Sequence, residues 1–193
     1  MQKYNPQHNG SFGDAKTKNA IIAGAAGFGL GLLAAAGRKA AVQAVTYAAG
    51  DWDEGLKAEH KMATTILEAM EQTDESDVSK RRGLLFQLQH ALGKHAIQEE
   101  DIIYCALRDA GLVEEADKLN HDHGYIKQYL YDIEMSGFDS PRYAETARKL
   151  KALIEEHVQQ EENVLFPRLK ASLSEDQNKK LTNRMNREGF KVA

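Results

Sequence analysis

Two stretches of the chain, HAIQEE at residues 95–100 and HVQQEE at residues 157–162, repeat the pattern His-x-x-x-Glu-Glu. Both lie inside segments whose apolar residues recur at the spacing of a helix. Residues four apart on a helix share a face, so the histidine and the first glutamate of each stretch point the same way. The apolar residues around the two stretches align with a shift of 62 positions. The sequence therefore predicts two related helices, each with a His–Glu pair on its buried face.

Two further histidines complete a duplicated unit. His60 lies 35 residues before His95, and His123 lies 34 residues before His157. The chain thus resembles two copies of a helix with one histidine followed by a helix with His-x-x-x-Glu. Folded as a pseudo-twofold bundle, the two copies would bring together His60, His95, Glu99, His123, His157 and Glu161.

Burial of these polar side chains requires compensation. An imidazole or a carboxylate buried without a partner costs on the order of several kcal/mol. A single core histidine is more often hydrogen-bonded within the core, and a single His-x-x-x-Glu is common as an exposed charge pair. The repetition of the motif on two core faces favours a metal site, because histidine and glutamate are good ligands for iron, manganese or zinc.

The composition indicates a helical domain. Ala, Leu, Glu, Lys and Gln dominate after residue 50, which favours helix, and the chain has only three prolines. Four long amphipathic segments with short connections predict an all-α, up-down-up-down four-helix bundle. Their predicted limits are residues 52–72, 77–110, 113–135 and 140–171, and a short helix follows from a Ser174–Gln177 capping box to residue 187.

The charge is distributed unevenly along the chain. Residues 1–50 hold five of the 25 basic and one of the 29 acidic side chains, which leaves 20 basic and 28 acidic, or a net −8, for residues 51–193. An acidic domain is a poor binder of nucleic acid, because phosphates require cationic partners. We therefore expect no nucleic-acid partner for the bundle.

The N-terminal region differs from the rest of the chain. Residues 20–36 carry no charge and place small residues at every fourth position, which allows close helix packing. Three interpretations stay open: a membrane anchor or hairpin, a helix that packs on the domain or on a sister chain in a homo-oligomer, and a signal peptide. The predicted organisation is a polar tail at 1–19, an apolar helix and linker at 20–50, the bundle at 51–172, and a C-terminal helix and tail at 173–193.

The motifs resemble the hemerythrin-type cation-binding domain, or HHE domain. The resemblance spans residues 52–170 and rests on four separated elements that agree in order and spacing. These elements are Glu59–His60 in EHKMATTIL, HAIQEED, DHGYIK and HVQQEENVLFP. The resemblance implies a hemerythrin-like four-helix bundle around a non-heme di-iron centre, in which an oxo, hydroxo or water bridge completes the pair.

By this resemblance, each half of the chain would supply two histidines to one iron and one bridging glutamate. The implied ligands are His60 and His95 for one iron, His123 and His157 for the other, and Glu99 and Glu161 as bridges. Oxygen-carrying hemerythrins have His-x-x-x-His on the third helix, whereas here His123 is followed by Lys127. The fourth helix departs as well, with His-x-x-x-Glu in place of His-x-x-x-x-Asp. The chain thus offers fewer ligands, and open iron positions favour reaction with small oxidants over reversible oxygen carriage.

The predicted function is that of a non-heme di-iron protein that binds, senses or reacts with O2, peroxide or nitric oxide, for example in a stress response. Enzymatic turnover as a di-iron oxidoreductase is left open. The alternatives are an oxygen- or iron-binding protein without turnover, and a redox-responsive signalling module. The predicted location is the cytoplasm, with residues 20–36 as the region that would contact a membrane.

Several neighbours of these residues have less specific interpretations. Glu100 and Glu162 leave the metal face by about 100° of helix rotation and are interpreted as solvated acids, with hydrogen-bond acceptors behind the metal ligands as the alternative. The tyrosines near the ligands, Tyr104, Tyr125 and Tyr129, are interpreted as amphipathic core residues, with a hydrogen bond to a ligand histidine or to an iron-bound oxygen species as the alternative. Cys105 is expected to be a buried inert thiol. Pro167 predicts a bend in the last long helix.

Overall fold

The computed structural model describes Lys39 and residues 42–193, which belong to one compact unit, Lys39–Ala193. The predicted polar tail at 1–19 and the apolar segment at 20–36 lie outside these residues. Within the described part the chain is helical and contains no strand. None of the described helices is long and apolar enough to cross a membrane.

Eight α-helices and two π-helical segments follow one another along this part of the chain. The α-helices are α1 (residues 42–49), α2 (Trp52–Glu71), α3 (Val78–Gln98), α4 (Tyr104–Asp109), α5 (Val113–Met135), α6 (Pro141–Gln160), α7 (Phe166–Ser172) and α8 (Glu175–Val192). The π segments are the first (Glu99–Ile103), between α3 and α4, and the second (Glu161–Leu165), between α6 and α7. All four predicted long segments and the C-terminal helix are therefore helical.

The long helices pack around two apolar clusters. Helix α2 contacts α3 and α6, and α5 contacts α6 and α3, as expected for a four-helix bundle. The up-down-up-down order of these helices stays a prediction. One cluster includes Trp52, Leu56, Ile103, Leu119, Leu165 and Phe166. The other includes Ala63, Leu92, Ile126, Leu130, Leu150 and Ile154.

The predicted metal ligands lie between these two clusters on every long helix. His60, for example, falls between Leu56 of the first cluster and Ala63 of the second. His123 falls between Leu119 and Ile126 in the same way. The bundle thus holds a buried polar layer between two apolar layers, which fixes the depth of the site.

Local signals in the sequence explain where the helices begin and end. Gly111 and Gly137 follow α4 and α5 with φ of 83° and 85°, in the left-handed region that favours glycine. Ser140 caps α6 by accepting a hydrogen bond from the Arg142 N–H. The predicted capping box of Ser174 and Gln177 is present at the start of α8, which extends to Val192.

Two shorter helices cover the bundle. Helix α8 is tied to α2 by the Trp52 indole N–H, which donates to Asn178 Oδ1 at 2.9 Å. It approaches α1 and α3 closely at Gly189, where a Cβ atom would lie 2.7 Å from both Gln43 Oε1 and Gln98 Nε2. Residues 42–49, which the sequence analysis assigned to a linker region, are therefore a helix that packs against the bundle.

The predicted bend before Pro167 corresponds to a change in helix type. The second π segment ends at Leu165, and Pro167 lies in the first turn of α7. A proline has no N–H to donate, so the first turn of a helix tolerates it. The helix continues through this position rather than ending there.

Candidate metal centre

Six helical elements bring the six predicted ligands into one buried cluster. His60 comes from α2, His95 from α3, His123 from α5 and His157 from α6, and the two π segments begin with the glutamates. The histidines are at most 5% exposed, and Glu99 and Glu161 are fully buried. The buried faces predicted from the repeated motif are therefore confirmed.

The two glutamates lie among the histidines at the centre of the cluster. The Glu99 carboxylate is 3.0 Å from His95 Nε2, 3.3 Å from His123 Nε2 and 3.7 Å from His60 Nε2. The Glu161 carboxylate is 3.3 Å from His60 Nε2 and 3.3 Å from His157 Nε2. Each glutamate thus faces histidines from both halves of the chain.

Two sets of these atoms are close enough to hold a metal ion each. His60, His95, Glu99 and Glu161 form one set, and Glu99, His123 and His157 form the other, with ligand atoms of each set within 4.8 Å of one another. Glu99 belongs to both sets. Each set could hold a cation, and both would use the Glu99 carboxylate.

Unsatisfied atoms at the centre of the cluster test whether cations fit. Glu99 Oε1 and Glu161 Oε2 are buried and accept no hydrogen bond from any described residue. His60 Nε2 and His95 Nε2 lie 3.0 Å apart, where one nitrogen must be an acceptor. A buried polar atom without a partner costs about 1–3 kcal/mol, more if charged. Carboxylate oxygens and imidazole Nε2 atoms that converge without enough donors fit bound cations.

A second layer of carboxylates faces the Nδ1 atoms of the four histidines and lies within hydrogen-bond distance of three of them, His60, His95 and His123. Glu162 Oε1 lies 2.8 Å from His60 Nδ1, and Glu100 Oε1 lies 2.9 Å from His123 Nδ1. An imidazole that donates its Nδ1–H to a carboxylate presents the Nε2 lone pair to a metal. The interpretation of Glu100 and Glu162 as solvated acids is therefore wrong. Rotation by 100° carries them off the centre but leaves them against a histidine of the adjacent helix.

The other two histidines, His95 and His157, face the acids that directly precede His60 and His123 in the sequence. Glu59 Oε2 lies 3.3 Å from His95 Nδ1, and Asp122 Oδ2 lies 3.6 Å from His157 Nδ1. Each half of the chain therefore follows one rule, in which the acid before one histidine faces the other histidine of that half.

The pKa values of the cluster reflect this pairing. Burial lowers the pKa of His60, but the carboxylates of Glu161, Glu162 and Glu99 outweigh it and raise the pKa well above its usual value. Burial also lowers the pKa of His123, yet the carboxylates led by Glu100 raise it to about 9. In the metal-free protein, protons therefore occupy positions that a cation would take, and metal binding has to release them.

A tyrosine that the sequence analysis assigned to the core donates into the centre of the cluster. Tyr104 Oη donates to Glu161 Oε1 at 2.8 Å and lies 3.1 Å from Glu99 Oε2, and its ring is fully buried. Burial and the charges of Glu161 and Glu99 raise the pKa of the phenol well above its usual value, so it remains protonated. The core assignment was correct for the ring, and the hydroxyl lies 3.1 Å from His123 Nε2, as the alternative of a contact with a ligand histidine predicted.

The first π segment explains how Tyr104 reaches the site. The Tyr104 backbone N–H donates to the Glu99 carbonyl five residues earlier, which is the hydrogen bond that defines a π-helix. In a regular α-helix the fifth residue would be rotated about 140° from Glu99. In the second half, the Phe166 N–H bonds to the Glu161 carbonyl in the same way, and the Phe166 ring stacks on His60 with centroids 6.2 Å apart.

A buried lysine supports one half of the cluster. Lys94 Nζ lies 2.7 Å from Glu59 Oε1 and donates to Thr46 Oγ1 at 3.0 Å and Gln43 Oε1 at 3.1 Å. Thr46 also donates to Glu59, and Gln43 donates to Asn186 of α8 at 3.0 Å. Sequence analysis missed this network, although a lysine directly before a buried ligand histidine is a signal that could have indicated it.

Other candidates lie away from the centre. His121 is exposed and packs edge-on against Tyr125. Cys105 is exposed, so the expectation of a buried thiol is wrong. The π turn carries Tyr104 inward and leaves the next residue facing outward.

The fold and site together define a helical domain with a buried His/Glu site suited to cations. The family model for the hemerythrin HHE cation binding domain matches residues 53–169. The chain therefore belongs to the hemerythrin HHE family, and the predicted resemblance is confirmed.

A comparison with characterised proteins finds one distant relative. A DNA nickase from Nostoc sp. (strain PCC 7120) is 24% identical over 122 residues, which cover 63% of this chain and 34% of the nickase. The chain therefore spans about a third of the length of that relative. No solved structure matches the chain.

Proposed function

We propose that the six buried ligands hold two iron ions and that the centre reacts with or senses a small oxidant, namely O2, peroxide or nitric oxide. The observation that carries the proposal is the position of Glu99, which lies within 3.7 Å of histidines from both halves of the chain. Carboxylates that bridge two metals from facing helices are the construction used in di-iron bundles. Manganese or zinc would suit the same atoms and are separated from iron by analysis of the bound metal.

Iron at this centre would supply redox chemistry and open positions for a small ligand. The residues of the chain set the conditions for that chemistry. Glu162 and Glu100 orient His60 and His123 through Nδ1. Tyr104 Oη donates its proton to Glu161 Oε1 at 2.8 Å, in the buried polar layer between the two apolar clusters.

The charge of the domain does not favour a nickase-like function for this chain. The net −8 of residues 51–193 disfavours contact with DNA phosphates. The alternatives within the same site are oxygen or iron binding without turnover, and redox signalling. The rate of peroxide consumption, rather than the geometry of the site, separates these alternatives from an enzyme.

The decisive experiment is metal analysis with ultraviolet–visible spectroscopy of anaerobically purified protein, followed by addition of oxygen, azide and peroxide in turn. We expect about two irons per chain and charge-transfer bands that respond to the added ligands. Steady consumption of peroxide would indicate an enzyme, and bands that reverse on degassing would indicate a carrier or sensor. Zinc, or a folded protein without metal, would contradict the proposal.

A matched pair of variants tests the assigned ligands. His123→Ala should lower the metal content, because the remaining ligands cannot complete the second set. His121→Ala removes an exposed histidine two positions away on the same helix and should leave the metal content unchanged. Equal metal content in both variants would refute the assignment of His123.

A further inference from the structure

An apolar cavity of about 350 Å³ opens beside the candidate metal centre. All four ligand histidines line it, and the rest of its wall is mainly aliphatic. The aliphatic residues include Leu92, Ala96, Ile126, Leu130, Ile154 and Val158. A cavity of about 150 Å³ is enough to hold benzene, and a diatomic molecule or peroxide is smaller still. The volume therefore exceeds what the proposed oxidants require and suits an organic molecule.

Helix α3 forms one side of the cavity and has a glycine, Gly93, at the opening. Gly93 lies in the interior of α3, where glycine is unfavourable relative to alanine. It lines the cavity, is exposed, and a Cβ atom added there would meet no atom within 4 Å. The glycine thus leaves open the space that a larger side chain would occupy.

The charges around the opening are already paired. Lys127 is bound to Glu100 with Nζ 2.8 Å from Oε1, and Glu134 accepts from the Gln89 amide at 3.0 Å. Lys127, Glu134 and Gln89 line the cavity, whereas Glu100 does not. Lys127 is therefore already paired and is not available to bind an anionic ligand. The Glu134 carboxylate would in addition repel such a ligand.

We propose that this cavity is a binding site for a neutral, compact apolar organic molecule, about the size of a substituted benzene ring, held against the histidines of the metal centre. This proposal rests on the proposed di-iron function in one respect only, namely that the bound molecule would take part in the reaction at the metal centre. Binding itself makes and breaks no bond and depends on the cavity alone. Ligand sites of this kind are typically concave, mostly apolar and 300–1,000 Å³ in volume.

The test uses two probes that share a ring and differ in charge, toluene and benzoate, titrated calorimetrically into the full chain. We expect saturable binding of toluene to both metal-free and metal-loaded protein, and benzoate binding at least about tenfold weaker. Absence of saturable toluene binding would overturn the proposal. Tighter binding of benzoate than toluene would overturn it too, in favour of an anion site.

Variants on one helix locate the site. Gly93→Phe should weaken toluene binding at least about tenfold by filling the opening, whereas Gly83→Phe, also in open space on α3 but outside the cavity, should leave it unchanged. Ala96→Leu fills the cavity from a second position, and melting curves verify that each variant is folded. Unchanged toluene binding in folded Gly93→Phe and Ala96→Leu proteins would overturn the proposal.

Metal analysis of the same preparations separates the two proposals. Toluene binding by a chain that takes up no iron would refute the di-iron function and leave the cavity assignment standing. A di-iron protein that fails to bind toluene would refute the cavity assignment alone.

Discussion

The two halves of the metal centre share their ligands and differ in what stands behind them. Glu59 and Asp122 occupy corresponding positions, each facing a ligand histidine from the adjacent helix. The side chain of Glu59 is 2% exposed and bound to buried Lys94, whereas that of Asp122 is 15% exposed and lies 3.7 Å from the half-exposed Lys118. The two halves thus match in their ligand positions and differ in their supporting residues: we call the half with buried Glu59 the dry half and the half with partly exposed Asp122 the solvated half.

The largest expected difference between the halves is in the cost of removing these two acids. Glu59→Ala leaves the Lys94 ammonium buried without its carboxylate, which we expect to cost about 3–5 kcal/mol of unfolding free energy. Asp122→Ala should cost about 1 kcal/mol or less, because Asp122 is partly exposed, its ion-pair partner Lys118 is half-exposed, and it lies 3.6 Å from His157 Nδ1. Urea denaturation of the two metal-free variants measures both values.

A double variant tests the cause of this difference. Glu59→Ala combined with Lys94→Met removes both charges and should recover much of the loss. Equal losses in Glu59→Ala and Asp122→Ala, or no recovery in the double variant, would contradict the division into a dry and a solvated half.

The second expected effect is a dependence of metal-free stability on pH. The pKa of His123 is about 9 in the folded protein against an unfolded value of 6.5. Its contribution is therefore complete below pH 6.5 and lost as the pH rises through 9, on the order of 3 kcal/mol at most. Metal-loaded protein should lack this loss, because metal binding requires the neutral imidazole.

Denaturation midpoints of metal-free protein between pH 6 and 10 measure this effect. Glu100→Gln should reduce the loss, since the Glu100 carboxylate is the main group that raises the pKa of His123. Stability that rises over this pH range in the metal-free protein would contradict the pairing in the solvated half.

The third effect concerns the tyrosine that one half has and the other lacks. Tyr104→Phe removes a hydrogen bond to the Glu161 carboxylate and should cost about 2 kcal/mol in the metal-free protein. Tyr143→Phe, the control, removes a buried hydrogen bond to the neutral Arg81 carbonyl and should cost about 1 kcal/mol. Only Tyr104→Phe should change the spectrum of the iron-loaded protein, and a change in both variants would refute a specific position for Tyr104.

The smallest effect sharpens the boundary of the dry half. Thr46→Val keeps the shape of a side chain that donates to Glu59 and accepts from Lys94, and should cost about 1 kcal/mol. Thr65→Val, an exposed control on α2, should change stability by less than about 0.5 kcal/mol. Equal values would indicate that α1 does not support the site and that the predicted domain start at residue 51 is functionally adequate.

The sequence predicted the parts of the structure that regular helix geometry controls. Apolar periodicity located the long helices, and the repeated motif placed all six candidate ligands on buried faces. Glycines and the serine caps marked several helix ends. These features depend on residues close in sequence, so a single chain contains enough information to recover them.

The features that sequence analysis missed or placed second depend on contacts between distant elements or on irregular backbone. The carboxylates of Glu100 and Glu162 meet histidines of other helices, and the distance to those helices is not encoded locally. Lys94 is buried because α1 and α8 close over it. Tyr104 reaches the centre only because of a π turn, which a regular periodicity of 3.6 residues does not anticipate.

The two π segments also make the chain sensitive to its own length at two points. A π-helical bond encloses one more residue than an α-helical bond. Loss of a single residue between Glu99 and Tyr104 would let the helix return to regular turns, with Tyr104 four residues after Glu99 and still one turn beyond it. A one-residue insertion at the same place would instead rotate the following residues away from the glutamate. One-residue deletions in either π segment should consequently disturb the site less than one-residue insertions.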